Sequence, residues 1–196
     1  MAPPPSDPAR GEAEFLRGNA YCDARRYEDA LERFDAAVAL GCVDPVLWNN
    51  RGVALEALGR HEDAVGSYEK AVAAKSDYET AWCNLGTAHA HLGRYESALD
   101  AYEHALALRP GYSEALFEKA LTLARLGRTK PALALYDDLL SKNPRDAGAW
   151  VRKGQLFLDL DRAEDAVEAL EAATGLDPAR AVGWSALGDA RFAIER

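Results

Sequence analysis

Four histidines, three cysteines and a recurring set of asparagines carry most of the chemistry this 196-residue sequence could perform. His89 and His91 are two residues apart and would leave a helix on different faces, so they cannot chelate as an i, i+4 pair would. His61 and His104 stand alone in the sequence. Cys83, Thr87 and His91 do share a helix face, and a thiol beside an imidazole is a nucleophilic pairing. Eight residues of helix separate that thiol and imidazole by about 12 Å, which is out of hydrogen-bond reach. Cys22, Cys42 and Cys83 are odd in number and contain no CxxC pair, so they suggest neither a disulfide framework nor a zinc site. Three reduced thiols are expected. No catalytic residue, metal ligand set or cofactor is expected.

The asparagines point elsewhere. Asn50 and Asn84 are separated by 34 residues, and each stands two residues after a tryptophan. A side-chain amide can donate to a peptide carbonyl and accept from a peptide N–H, so a stacked pair could hold an extended backbone.

Charge and composition exclude several other functions. The formal net charge is -9 and the pI is about 5.0, opposed to the clustered Lys and Arg that phosphate contacts need. Neither nucleic acid nor an anionic membrane surface is an expected partner. The N-terminal stretch Met1 to Arg10 lacks the apolar core of a signal peptide, and no apolar run nears the roughly 20 residues of a membrane span. A cytoplasmic location is expected. Acidic pairs such as Glu28-Asp29 and Glu62-Asp63 fit helix N-termini, without calcium.

The elements that position these residues follow from one ruler. Trp48 to Trp82 and Trp150 to Trp184 are each 34 residues, and Leu116 takes the intermediate step. Gly18, Gly52, Gly86, Gly154 and Gly188 keep the same phase, with Ala120 in the fourth place. So do Ala30, Ala64, Ala98, Ala132 and Ala166, then Phe34, Tyr68, Tyr102, Tyr136 and Leu170. Pro110, Pro144 and Pro178 close the third to fifth units.

A 34-residue period with Trp, Gly, aromatic, Ala and Pro in this order resembles the tetratricopeptide repeat. The resemblance covers residues 11–196 and is weakest in the first unit, where Glu14 replaces tryptophan and Cys42 replaces proline. It implies an all-α, right-handed α-solenoid of stacked helix-turn-helix repeats. The expected units are 11–44, 45–78, 79–112, 113–146 and 147–180, with a terminal half unit at 181–196 and a disordered segment at 1–10. Helices are expected over 13–24, 27–40, 45–57, 61–74, 79–91, 95–108, 113–125, 129–142, 147–159, 163–175 and 181–194. The Leu-Gly-Arg at 58–60, 92–94 and 126–128 should end first helices, glycine taking the left-handed cap. Thr129 reads as an N-cap, and Asp44-Pro45 and Asp177-Pro178 as turn or cap chemistry. Gly86 and Ala98 should let two helix backbones approach, with the tryptophans in the core.

Resemblance to this family also implies a concave face lined by first helices that holds a peptide or a partner's helix. The inward positions are Asn19; Asn49, Asn50 and Glu56; Cys83, Asn84, Thr87 and His91; Phe117, Glu118 and Arg125; Arg152, Gln155 and Asp159. Chaperone-binding members carry a two-carboxylate clamp of Lys, Asn, Asn, Lys and Arg. The corresponding residues here are Phe15, Asn19, Asn50, Thr80 and Asn84, so both asparagines match and all three cations are missing. A non-catalytic adaptor for a protein or peptide is therefore expected, without chaperone tails as ligands. The alternative is a scaffold that oligomerises through its last helix, which carries Phe192 and Ile194 and is expected to have no second helix covering it. The expected state is a monomer or a weak homo-oligomer through that end.

Overall fold

The computed structural model describes residues 7–195, so the expectation of disorder over residues 1–6 lies outside the described residues. Two compact units divide at Pro110/Gly111. The first holds α1 (Pro8–Asp23), α2 (Tyr27–Ala39), α3 (Pro45–Ala57), α4 (His61–Ala74), α5 (Glu79–His91) and α6 (Tyr95–Leu108). The second holds α7 (Ser113–Arg125), α8 (Thr129–Lys142), α9 (Ala147–Asp159), α10 (Ala163–Leu176) and α11 (Ala181–Ile194). The described residues contain no strand, and the fold is an all-α helical-repeat solenoid.

Helix ends fall where the local chemistry dictates. Gly59, Gly93 and Gly127 have φ of 72, 72 and 70°, the left-handed conformation that stops α3, α5 and α7. Arg25 and Asp161 occupy the same step of the ruler and are forced into it at φ 57 and 55°. The residue before each second helix is an arginine, and Arg26, Arg60 and Arg162 each pair with an aspartate three residues on. Those aspartates sit in the first turn, where the helix dipole favours a carboxylate.

Three expectations need correction. The first helix starts at Pro8 rather than residue 13, because the Asp7 side chain caps it by accepting from the Arg10 N–H at 3.1 Å. Residues 8–10 are thus helical. Thr129 is the first residue of α8, not its cap, and its hydroxyl donates back to Gly127 O at 3.3 Å. The turn-or-cap reading holds at both Asp-Pro steps: Asp44 caps the start of α3, and Asp177 closes α10 and pairs with Arg180.

The third correction concerns the core. Gly18, Gly52 and Gly86 make room for a large side chain of the second helix: a Cβ on Gly86 would stand 2.5 Å from Tyr102 Cε1, and one on Gly52 would strike Tyr68. Phe34, Tyr68 and Tyr102 are the large buried side chains of the first unit, Tyr136 and Leu170 of the second. Trp48, Trp82 and Trp150 are only half-buried. Three of the four tryptophans latch linkers: the indole N–H of Trp82, Trp150 and Trp184 donates at 2.9 Å to Ser76, Pro144 and Pro178 carbonyls, each six residues upstream. Glu14, in the first tryptophan place, is buried and receives Arg17 at 2.6 Å and Arg33 at 3.2 Å.

Candidate functional site

In the first unit, α1, α3 and α5 carry the residues expected to face inward. Asn84 Nδ2 donates to Asn49 Oδ1 at 2.9 Å, Asn49 Nδ2 donates to Asn50 Oδ1 at 3.2 Å, and Asn50 Nδ2 donates to Asn19 Oδ1 at 2.9 Å. Four amides from three repeats thus form one directional row. Asn50 and Asn84 do not bond to each other as equivalents on the ruler. The bridging residue is Asn49, and at 5% exposure it is a buried connector rather than a groove-surface residue. Asn19 and Asn50 line a hollow of ≈ 180 Å³ with Cys22, Asp23 and Val53.

Thr87 is tied inward, its hydroxyl donating to Cys83 O at 3.2 Å and lying 3.3 Å from Tyr102 Oη. Cys83 is buried beneath it. His91 turns away from both. Its Nδ1 lies 2.8 Å from one oxygen of Glu56, and His61 Nδ1 lies 2.8 Å from the other. One ligand-capable atom from each of Glu56, His61 and His91 lies within 4.8 Å of the other two. The histidine spacing within the sequence gives no sign of this cluster, because it draws on α3, α4 and α5 at once.

His89 is the histidine with a displaced titration. Burial, then the nearby Arg94, lowers its pKa, with Glu69 and Glu62 opposing. Its Nδ1 is buried without a hydrogen-bond partner among the described residues. Burial, followed by Glu56, raises the Tyr68 phenol well above its ordinary value.

In the second unit, Arg125, Arg152 and Gln155 line a hollow of ≈ 250 Å³ with Tyr136, Asp159 and apolar residues of α7 and α9. Arg152 donates to Gln155 Oε1 at 3.1 Å. Phe117 meets Tyr136 edge to face at 5.7 Å and, with Arg152, lines a second hollow whose walls include Val151, Arg180 and Val182. Glu118 is half-buried on the same helix. The Tyr136 hydroxyl is buried and has no hydrogen-bond partner among the described residues.

Family models described as tetratricopeptide repeat match residues 15–79, 80–112 and 117–181. The chain belongs to the tetratricopeptide repeat family. Solved structures of other members share the fold at low identity. A tetratricopeptide repeat protein from Parabacteroides merdae ATCC 43184 is 20% identical at TM-score 0.83, over 95% of this chain and 74% of its own. MamA from Desulfovibrio magneticus RS-1 is 17% identical at TM-score 0.81, over 88% and 97%. YrrB, described as having an unusual peptide-binding site, is 23% identical at TM-score 0.75, over 88% and 89%. No curated protein matches this chain in sequence. Tetratricopeptide repeats are scaffolds for protein interaction in general, and that coarse role extends to this chain. No helix among the described residues is long and apolar enough to cross a membrane.

Proposed function

We propose that this chain is a non-catalytic, cytoplasmic adaptor that holds an extended segment of a partner protein against the first helices of its repeats. The observation that supports this best is the amide row from Asn84 through Asn49 and Asn50 to Asn19. Each amide nitrogen carries two N–H groups, and the row engages at most one per residue, leaving polar capacity at fixed positions. A fixed donor costs little ordering entropy when a backbone binds. The second unit offers a different chemistry, with Arg125 and Arg152 suited to acidic or carboxamide side chains of a ligand. The likeness to YrrB, itself described as having a peptide-binding site, points the same way. Three free thiols suit a reducing compartment.

Selecting peptides from a random display library against the chain tests this reading. Selected peptides should lose at least tenfold in affinity with Asn50→Ala plus Asn84→Ala. Asn49→Ala, which only positions those amides, should produce a smaller loss. Failure to select any peptide, or equal binding by the double variant, refutes the reading.

A second reading, self-association through α11, rests on a separate observation. Trp184 and Phe192 are 50% and 58% exposed, alongside Val182 and Ile194. A Cβ on Gly188 would meet nothing within 4 Å, whereas the equivalent Gly18, Gly52 and Gly86 face a ring and Gly154 faces Leu170. Sedimentation across a hundredfold concentration range tests it, and a strict monomer throughout sinks it.

A further inference from the structure

We propose that Glu56, His61 and His91 form a binding site for a divalent transition-metal ion of the zinc class. Two imidazoles and one carboxylate are the donor set such ions accept with a position left for water or a fourth ligand. Calcium and magnesium favour all-oxygen shells, whereas two of the three donors in this cluster are imidazole nitrogens.

The geometry is close to that of a loaded site. Both imidazole Nδ1 atoms already converge on one carboxylate at 2.8 Å, with ring centroids 4.7 Å apart. Around a tetrahedral ion at about 2.1 Å, ligand atoms sit about 3.4 Å apart. Each N···O contact would have to lengthen by roughly half an ångström, and the two Nδ1 atoms, which now meet different oxygens of the carboxylate, would turn toward a common point to admit the ion. Glu56 lies near the C-terminus of α3 and His91 ends α5, so two helix dipoles present their negative ends to the ion against one positive end from α4.

The three ligands belong to two successive repeats of the first unit, so a bound ion would pin the α3–α4 hairpin to α5. His91 is 45% exposed in its side chain and Glu56 only 16%. The carboxylate is thus held while the His91 edge stays open to solvent, where a ligand of a partner could complete the coordination sphere.

Titration calorimetry of the untagged chain with zinc chloride alone tests the site without any partner. One ion should bind per chain, and His61→Ala and His91→Ala should each weaken it at least tenfold. Both side chains are near the surface, so far-UV circular dichroism should stay unchanged. His104→Ala, in which the lost ring stacks on Trp82 instead, should bind as the parent does. With cobalt(II), the parent should show the intense visible bands of low coordination number and the His91→Ala chain should lose them. No binding, or binding that neither histidine variant weakens, overturns the proposal and leaves the cluster a hydrogen-bonded clasp. Neither result bears on the peptide reading, which the asparagine variants test.

Discussion

Replacing Gly86 with alanine measures how tightly the repeat is built. The new methyl would stand 2.5, 2.7 and 2.9 Å from three ring carbons of Tyr102. Carbon atoms pack at about 3.5 Å or more, so the ring or its helix must yield by about 1 Å. Tyr102 is fully buried, and overpacking a closed core costs typically about 1–3 kcal/mol. Three sub-contact distances place this case near the top of that range, about 3 kcal/mol. Alanine regains about 1 kcal/mol of helix propensity over glycine, leaving a net loss of about 2 kcal/mol. The fourth unit holds Ala120 in this place and still buries Tyr136, so displacement rather than unfolding should relieve the clash. Gly188→Ala is the matched control. Its methyl meets nothing within 4 Å, so propensity alone acts and the chain should gain up to about 1 kcal/mol. Urea denaturation followed by circular dichroism reads both changes. Equal effects of the two substitutions would refute the claim that ring filling, and not helix propensity, fixes this position.

Two further predictions concern stability. Arg25→Gly and Asp161→Gly should each raise the unfolding free energy read by urea denaturation, by about 1 kcal/mol and somewhat less respectively, because aspartate tolerates the left-handed conformation better than arginine. For His89, burial and Arg94 hold the folded pKa below the ordinary 6.5, so the neutral form favours folding. That contribution is complete above pH 6.5 and fades as pH falls through the folded value, since the unfolded chain then binds the extra proton. Stability measured from pH 7.5 to 5 should fall less steeply in His89→Leu than in the parent.

The helices were legible because their signals are local. Pro45, the Leu-Gly-Arg stops and the arginine-led starts act within a few residues, and eight of the eleven expected ranges coincide with the observed helices. The first helix ran early because Asp7 supplies a cap that the 34-residue ruler does not include. The role of Glu14 was not legible, since a carboxylate in a tryptophan place looks like a lapse of pattern until Arg17 and Arg33 close on it.

What the sequence determined by itself is the period, the helix-turn-helix unit and the family, all carried by spacing along one chain. The tertiary structure decided which inward residues meet. Asn84 reaches Asn49 across 35 residues, Asn50 reaches Asn19 across 31, and His91 reaches Glu56 across 35, none of them the 34 of the ruler. A repeat fixes which positions are equivalent, but neighbouring helices are offset when they pack, so these hydrogen bonds join positions that are not equivalent. The amide row and the Glu56–His61–His91 cluster both arise from that offset, and it exists only once the helices are stacked.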